Sequence, residues 1–456
     1  MKAKGYFRSA HSSCVVVVAA AVLTYGSIAL ASGPLEKTIY SFQGSPDGTT
    51  PFLGALVADR AGNLYGTTGN GGSVAACVDC GTVFELSPPS SKGSAWTETQ
   101  LYSFQGGASD GKYPYSGLVF DKQGNLYGTT VFGPSSTAAT TGTIFKLSPP
   151  ASQGGSWTET LLYLFPADGS RGLGPYTTLV FDTAGNLYGT TNSGGVGAHC
   201  ACGTAFELSP PETAGGAWTQ TVLHNFGSFA EDGATPDAEG GLIFDRHGAL
   251  YGVTQGGGKY GYGGTVYQLV RENGQWSENI LYDFSLNERA GNSPRAPLTF
   301  DSVGNLYVSL TQGGVNSSCS LTTQGCGAVF KLAPPSVSGD LWKETILYSF
   351  GDLKDGRFPN GGLILDKAGN IYGTTSQDGL KNKLTRDNGT IFRLTPPTLS
   401  GGPWTETTVH EFGGSAYHDG TEPTAGLTFV NGKFYGTTAL GGPEGFGTVF
   451  SLVIVP

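Results

Sequence analysis

Hydrophobic and polar positions alternate along this chain in short runs, and no stretch keeps the 3.6-residue period of an amphipathic helix. Residues 117–121 illustrate the pattern: they form an apolar run that ends at a turn, and residues 125–130 follow at once, which predicts a tight hairpin. Two further β-rich runs follow at 142–147 and 157–165, and a Pro-Pro pair at 149–150 ends the first of them. The pattern predicts four short strands and an all-β chain.

The same four-strand pattern returns with a period of about 60 residues. The phrase Gly-Asn-Leu-Tyr-Gly-Thr-Thr, or a close variant, occurs around Tyr65, Tyr127, Tyr188, Tyr251, Tyr307, Tyr372 and Tyr435. Every tryptophan occupies one position of the repeat, at Trp96, Trp157, Trp218, Trp276, Trp342 and Trp404. One structural unit is therefore used seven times.

A lone four-stranded unit of this kind exposes two apolar faces, and seven units packed around an axis bury them. The repeats therefore predict a seven-bladed β-propeller with four-stranded blades. Residues 38–42 match the fourth strand of the unit but precede the first unit, and the last unit ends at 453–456 without such a strand. We expect the N-terminal strand to complete blade seven and close the ring. A linear β-solenoid is the structural alternative.

The N-terminal segment, residues 1–31, has the features of a signal peptide. Three basic residues precede an apolar run at 14–23, and residues 29–31 (Ala-Leu-Ala) offer a cleavage pattern of small residues. An uncleaved N-terminal anchor is the alternative. We expect residues 32–456 to form a single propeller domain without a membrane span.

Charge narrows the class of partner. Without the three basic residues of the N-terminal segment, 22 Lys and Arg face 35 Asp and Glu, a net charge of −13. This charge repels phosphate backbones, and no basic run compensates for it, so we expect no nucleic-acid partner. With 38 % apolar residues the chain can still form a packed core, although it contains 74 glycines.

The units resemble the GloVer tandem repeats of the choice-of-anchor bacterial surface proteins. The resemblance rests on Gly-Asn-Leu-Tyr-Gly-Thr-Thr, Gly-Thr-Val-Phe-x-Leu and Pro-Pro, and it covers residues 38–455. It implies a bacterial source and export, and it brings no established activity or catalytic residues. The chain ends at Pro456 directly after its last strand, which departs from the C-terminal anchors of that family. We therefore expect a secreted or periplasmic protein, and we expect it to be a monomer.

Six cysteines remain after Cys14 is removed with the N-terminal segment. They form three close pairs in the same loop of units one, three and five, at Cys77/Cys80, Cys200/Cys202 and Cys319/Cys326. Such pairs usually oxidise in exported proteins, so we predict three local disulfides. A metal site is the alternative, but only His199 beside Cys200 offers a further ligand. We predict no metal and no cofactor.

A second signature, Asp-Gly-x-x-Pro, lies between the last strand of one unit and the first strand of the next. It begins at Asp47, Asp110, Asp232, Asp355 and Asp419, and a longer variant begins at Asp168. Asp-Gly is a common turn dipeptide, and its repetition favours a role in the fold. The alternative is a ring of carboxylates near the axial mouth that binds a cation or carbohydrate hydroxyls.

The histidines divide into two groups. His224 and His410 replace the tyrosine of the Leu-Tyr-Ser-Phe phrase on outer strands, and we interpret them as packing substitutes. His418 lies in a rim loop between Tyr417 and Asp419. A Tyr/His pair with a nearby cation is what proton abstraction by a polysaccharide lyase would need.

Two functions remain open. The first is an exported, non-catalytic propeller that binds a polysaccharide or a cell-surface protein through its loop-rich rim. The alternative is a polysaccharide-active enzyme, a lyase or a glycoside hydrolase, with its site at the axial mouth of the same rim. Near-equivalence of the seven units favours the first, because catalysis generally needs residues that break the symmetry. The first candidates for ligand binding are Asp355, Arg357, His418 and Asp419.

Overall fold

The computed structural model describes residues 35–454 except 73–76, 78, 108–109, 135–140, 153, 214, 237–240, 286–290, 315–324, 338–341, 352–354, 378–387, 400 and 414–417. This part of the chain is all-β and forms the seven blades of a β-propeller, each built on four antiparallel strands. The predicted fold is therefore confirmed. Within the described residues, no helix is long and apolar enough to cross a membrane.

Each blade contains four strands, A to D, from the axis outward, and they follow chain order in all blades except blade seven. The A strands are Val57–Ala58, Val119–Phe120, Val180–Phe181, Ile243–Phe244, Thr299–Phe300, Ile364–Leu365 and Thr428–Val430. The B strands are Leu64–Thr68, Leu126–Thr130, Leu187–Thr191, Leu250–Thr254, Leu306–Gln312, Ile371–Gln377 and Lys433–Thr438. The C strands are Thr82–Ser87, Thr143–Ser148, Thr204–Ser209, Thr265–Glu272, Ala328–Ala333, Thr390–Thr395 and Thr448–Val453. The D strands are Thr97–Ser103, Thr158–Leu164, Thr219–Asn225, Gln275–Asp283, Lys343–Ser349, Thr405–Glu411 and, for blade seven, Leu35–Ser41.

Short strands outside this pattern lie in the crossovers from one blade to the next and in the loops between strands B and C. Three two-stranded ladders are formed by the pairs Gly48–Thr49 with Asn70–Gly71, Gly233–Ala234 with Gly256–Gly257, and Gly420–Thr421 with Leu440–Gly441. Two more strands, Asn292–Pro294 and Arg357–Pro359, extend the sheets of blades five and six by pairing with strand B.

The N-terminal strand closes the ring. Leu35–Ser41 pairs antiparallel with Thr448–Val453, so blade seven takes its outer strand from the start of the described chain. The next residue, Phe42, is 1 % exposed, and its ring centroid lies 5.2 Å from that of Phe84 in blade one. Blade seven therefore contacts blade one through the N-terminal strand, which confirms the predicted closure.

The hydrophobic core is divided among the seven seams, the interfaces between neighbouring blades. Between blades one and two, Tyr65 and Leu101 pack against Leu126, Phe145 and Trp157. Complete burial of a side chain such as leucine or phenylalanine contributes about 1.5–3 kcal/mol. Because every blade contributes to two seams, the packing of each blade depends on closure of the whole ring.

Contacts of strand B explain the Gly-Thr-Thr part of the repeated phrase. A Cβ atom at Gly66 would lie 2.6 Å from Cζ of Phe84, so this ring fills the space that a side chain would need. The Thr67 hydroxyl donates to a backbone carbonyl of blade two at 2.9 Å. The buried hydroxyls of Thr68 and Thr82 lie 2.8 Å apart and join strands B and C. One phrase therefore supplies packing, a bond within the blade and a bond to the next blade.

An aspartate holds the hairpin turn between strands A and B in six blades. Oδ1 of Asp59 accepts hydrogen bonds from the backbone N–H groups of Ala61 and Asn63 at 2.8 and 2.9 Å, and Oδ2 accepts one from the Tyr65 hydroxyl at 3.3 Å. Equivalent bonds are made by Asp121, Asp182, Asp245, Asp301 and Asp366. These aspartates therefore serve the turn, as the sequence pattern indicates.

Candidate functional site

At one end of the ring, the described parts of the B–C loops pair with the crossovers that lead from strand D of one blade to strand A of the next. We call this end the loop rim. In blade one, the crossover pairs with the B–C loop through Gly48 and Gly71. The equivalent pairs are Lys112–Phe132, Leu173–Ser193, Gly233–Gly257, Asn292–Gln312, Arg357–Gln377 and Gly420–Gly441. The A–B turns form the opposite end, the hairpin rim.

A glycine–proline contact joins each crossover to the preceding blade. Gly81 has a φ of 90°, and a Cβ atom there would lie 2.5 Å from Cδ of Pro114. The same contact recurs at Gly142–Pro175, Gly203–Pro236, Gly264–Pro294, Gly327–Pro359, Gly389–Pro423 and Gly447–Pro51. The glycine of Gly-Thr-Val-Phe and the proline of Asp-Gly-x-x-Pro therefore form one contact that recurs in every seam.

The residue before this proline has a left-handed backbone in all seven crossovers. Six of these residues are not glycine and have φ between 55° and 61°, at Thr50, Tyr113, Thr235, Ser293, Phe358 and Glu422. Such a conformation costs about 1–3 kcal/mol and persists where surrounding contacts hold it. The Tyr113 N–H donates to the carbonyl oxygen of Cys80 at 2.8 Å, and the same bond joins the pairs Thr235–Cys202 and Phe358–Cys326. In three seams a cysteine therefore holds the strained turn.

Two of the three predicted cysteine pairs lie at disulfide distance. The Cα atoms of Cys77 and Cys80 are 5.7 Å apart, and those of Cys200 and Cys202 are 5.2 Å apart. Of the third pair, Cys326 is buried, and Cys319 lies outside the described residues. Oxidation of all three pairs in the exported protein stays a prediction, which thiol labelling of the unreduced protein would check.

The aspartates of the Asp-Gly-x-x-Pro crossovers lie in the seams beside the outer strands. Asp110 is 6 % exposed, and its carboxylate accepts the Tyr102 hydroxyl at 2.9 Å. It also accepts the backbone N–H groups of Gln105 and Gly111, both at 2.7 Å. These bonds satisfy the carboxylate within its own turn and blade, which agrees with a role in the fold and not with a ligand-binding ring.

Two of the four first candidates for ligand binding belong to this set. Asp355 and Asp419 are only 5 % and 8 % exposed. Asp355 accepts the Tyr348 hydroxyl at 2.7 Å, and Asp419 pairs with Nε2 of His410 at 3.0 Å. They occupy equivalent positions in successive crossovers, each bonded to its own outer strand. Their repetition in the sequence reflects a structural role, which is to bond the crossover to the outer strand.

The other two first candidates differ in their exposure. Arg357 is 6 % exposed, and its guanidinium lies 5.1 Å from the centroid of the Phe358 ring. His418 is exposed and has a φ of 57°. Its neighbour Tyr417, proposed as its catalytic partner, lies outside the described residues. Of the four, His418 alone presents its side chain to solvent.

In several seams, a glutamate from strand D of the next blade lies close to the crossover aspartate. In the sequence this residue is marked only by its place two residues after the tryptophan of the repeat. Burial, together with the charge of Asp110, raises the pKa of Glu159 to about 7. Burial and the charge of Asp47 raise the pKa of Glu98 to the same value. These seams therefore hold carboxyl groups that keep their protons in mildly acidic solution.

Stability should therefore fall as pH rises from about 4.5 to about 7. Glu159 has a raised pKa in the folded state, so the folded protein keeps a proton that the unfolded chain releases in this window. Its contribution is fully present below the unfolded value and is lost as pH passes the folded value. Glu159→Gln should raise the melting temperature by about 1–3 °C at pH 8 and leave it unchanged at pH 4.

The control for this prediction is Glu212→Gln, which changes an exposed glutamate. Thermal denaturation of both variants and the parent at the two pH values measures the difference. A gain for Glu159→Gln that is equal at pH 4 and pH 8 would contradict the assigned proton.

Blades one to three carry a row of aromatic rings at the loop rim, which we call the aromatic strip. The rings of Tyr113 and Tyr115 are nearly parallel, with centroids 5.8 Å apart, and Tyr176 continues the row 6.2 Å from Tyr115. Phe52 meets Tyr115 edge-on at 6.0 Å, and Phe132 meets Tyr113 at 5.5 Å. All five side chains are partly exposed. The strip thus offers aromatic surface to solvent on a rigid support.

The aromatic strip breaks the seven-fold symmetry of the propeller. The residue after the crossover proline is aromatic in blades one to three, as Phe52, Tyr115 and Tyr176. In blades four to seven it is Asp237, Arg295, Asn360 and Thr424. In the sequence these residues are visible as the dipeptides Pro-Phe and Pro-Tyr. A repeat pattern is defined by the residues that the units share, so it does not point to positions where the units differ.

Charge and protonation add to the chemistry of the strip. The Lys112 ammonium lies 5.7 Å from the centroid of Tyr113 and 5.5 Å from that of Phe132, within the range of cation–π attraction. Burial, with the neighbouring tyrosines Tyr113 and Tyr176, raises the pKa of Tyr115. Its hydroxyl therefore stays protonated and can donate a hydrogen bond. The strip combines apolar faces with hydroxyl donors and one cation.

A cavity of about 300 Å³ lies at the axis and is lined by inner segments of six blades. Its walls are mainly apolar, with residues such as Leu179, Leu242 and Leu363. Asn360 and Thr424 also line it, and they occupy the repeat position that Tyr115 holds in the strip. The axial cavity therefore reaches the level of the loop rim.

The sequence model described as Gloeobacter/Verrucomicrobia repeat matches residues 25–197, 135–322 and 318–454, which together extend through all seven blades. No curated protein matches the chain.

Proposed function

The chain belongs to the Gloeobacter/Verrucomicrobia repeat family, and on that premise we propose that it is an exported, non-catalytic β-propeller that binds a glycan at its loop rim. The observation that carries the proposal is the aromatic strip. It is a departure from the repeat, whereas the crossover aspartates are part of the repeat. A departure on a rigid scaffold is where a specific function is expected.

The chemistry of the strip fits a sugar. Aromatic side chains offer large, rigid apolar faces, and tyrosine adds a hydroxyl that can bond a polar ligand. Nearly parallel rings such as Tyr113, Tyr115 and Tyr176 suit a chain of sugar units that present C–H faces and hydroxyls along one line. Lys112 would favour a sugar that carries a carboxylate. The acidic net charge of the protein speaks against a phosphate-rich ligand.

Export is part of the proposal. It is supported by the basic and apolar N-terminal segment with its small-residue cleavage pattern and by the cysteine pairs at disulfide distance. An exported protein can contact the glycans of cell walls and extracellular matrices, which lie outside the cytoplasmic membrane.

Tyr115→Ala should weaken glycan binding at least tenfold. Tyr115 is the centre of the strip and contacts Phe52, Tyr113 and Tyr176, so its loss removes one stacking face and loosens three others. An aromatic contact is worth about 0.5–1.5 kcal/mol beyond its buried area, and about 1.4 kcal/mol corresponds to a factor of ten in Kd. The mature protein is first screened on a glycan array, and calorimetry with the strongest glycan then gives Kd for the parent and the variant.

The matched control is Phe429→Ala. Phe429 is an exposed aromatic residue, 55 % accessible, in the A strand of blade seven and outside the strip. Equal losses for the two variants, or no glycan bound by the parent protein, would contradict the proposal. Release of unsaturated or reducing sugar products from the bound glycan would favour the enzymatic alternative.

A further inference from the structure

Two seams contain a histidine where other outer strands have tyrosine, and each brings three metal-ligand side chains together. His224 lies in strand D of blade three, Asp232 in the following crossover and Glu278 in strand D of blade four. Nε2 of His224 is 3.1 Å from Oδ2 of Asp232 and 3.5 Å from Oε2 of Glu278. One ligand atom from each residue lies within 4.8 Å of the other two. We call this group the His224 triad.

A second observation points to a missing partner in this group. The Glu278 side chain is 2 % exposed and that of Asp232 is fully buried. Neither carboxylate oxygen of Glu278 accepts a hydrogen bond from the part of the chain that the structure describes. Two carboxylates buried this close need a cation or a shared proton, because uncompensated buried charge costs several kcal/mol.

We propose that His224, Asp232 and Glu278 bind a divalent transition-metal ion of the Zn²⁺ class. Nitrogen and oxygen ligands at about 2.0–2.2 Å around a tetrahedral ion lie about 3.3–3.6 Å from one another. The 3.5 Å distance from His224 to Glu278 falls in this range, and the 3.1 Å distance from His224 to Asp232 is slightly shorter. Imidazole is a ligand for zinc and its neighbours, whereas Ca²⁺ takes oxygen ligands, so the donor set selects against calcium.

Such an ion would cross-link two blades. His224 and Glu278 belong to outer strands of different blades, and Asp232 belongs to the crossover between them. Bound metal would hold the seam between blades three and four together and would stabilise the folded ring by mass action. In the corresponding seam of blades one and two, Tyr102, Asp110 and Glu159 occupy the same positions without an imidazole. The chain thus provides its own metal-free version of the site.

The same arrangement recurs once more among the described residues, with Glu36, His410 and Asp419 at the seam of blades six and seven. Nε2 of His410 lies 3.0 Å from Oδ2 of Asp419. To keep this second group from contributing, the test is made in the variant His410→Tyr. Tyrosine is the native residue at this position of most other blades, so the substitution preserves the local fold.

The experiment measures zinc binding to the oxidised mature protein without an affinity tag, after removal of metal with a chelator. The His410→Tyr protein is titrated with Zn²⁺ in competition with a chromophoric zinc chelator at about pH 7.5, because metal binding is weakened at lower pH by protonation of the ligands. It should bind one equivalent, and zinc should raise its melting temperature. Adding His224→Tyr should weaken zinc binding at least about 100-fold and abolish the thermal shift, since loss of a ligand exceeds the effect of a second-sphere change.

Two further variants guard against a folding artefact. Glu278→Gln keeps the shape of the side chain, removes its charge and should also weaken zinc binding. Tyr102→His, placed in the double variant, builds the triad with Asp110 and Glu159 and should restore an equivalent of zinc. The proposal is overturned if the His410→Tyr protein binds no zinc, or if His224→Tyr and Glu278→Gln leave its zinc affinity unchanged.

Discussion

Deletion of residues 35–42 is expected to open the propeller and cause aggregation or a large loss of stability. The deletion removes the strand that pairs with Thr448–Val453 and leaves that strand as an unpaired edge of blade seven. It also removes Phe42, which is 1 % exposed in the seam with blade one. Size-exclusion chromatography should show aggregation of the truncated protein, or thermal denaturation should show a lower melting temperature. A truncated protein that stays monomeric with an unchanged melting temperature would contradict ring closure by this strand.

A point variant tests ring closure by the N-terminal strand without shortening the chain. Phe42→Ala should lower the free energy of unfolding by about 3–5 kcal/mol, the usual cost of removing a buried phenylalanine ring. Phe104→Ala is the matched control, because Phe104 occupies the same repeat position in blade one and is fully buried. Similar losses show that the N-terminal strand is built into the ring like any other outer strand. A neutral Phe42→Ala beside a costly Phe104→Ala would contradict the closure.

Gly203→Ala should lower the free energy of unfolding by about 3–5 kcal/mol. Gly203 has a φ of 105°, and a Cβ atom there would collide with the Thr191 carbonyl and lie 2.7 Å from Cδ of Pro236. The variant therefore strains its own backbone and pushes the next crossover away. Chemical denaturation measures the change in the free energy of unfolding.

The control separates conformation from contact. Gly248 has a φ of 89°, but a Cβ atom added there would have no neighbour within 4 Å, so Gly248→Ala should cost only about 1–2 kcal/mol. If the two variants lost the same amount, backbone conformation alone would explain the glycine and the glycine–proline contact would contribute nothing.

The architecture could be predicted from the sequence because each blade repeats its local signals. The alternation of apolar residues indicated the strands, and the unmatched segment at 38–42 indicated ring closure. The structural role of individual glycines could not be predicted, because the contact between Gly81 and Pro114 forms only when two blades pack together. Contacts across a seam join residues from different repeats, and a repeat pattern contains no direct record of them.

Candidate binding residues were harder to predict for a related reason. Asp355 and Asp419 are candidates for their place on the loop rim, but they belong to a signature that recurs in six crossovers, and their bonds to the outer strands show what that recurrence serves. The aromatic row of Tyr115 and Tyr176 is visible only in the structure, because the two rings belong to successive crossovers that are far apart in the sequence. The sequence alone indicates that His224 is a packing substitute for tyrosine, and its approach to Glu278 of the next repeat is visible only in the structure.

The most direct test of the central claim, that the aromatic strip of the loop rim is the glycan-binding surface, is a crystal structure of the mature protein with its strongest-binding glycan. The account predicts a sugar ring in van der Waals contact with Tyr115, at about 3.5–4.0 Å between carbon atoms, and further units along Tyr113 or Tyr176. A glycan bound at the hairpin rim or on the outer strands, with the strip left exposed to solvent, would contradict it.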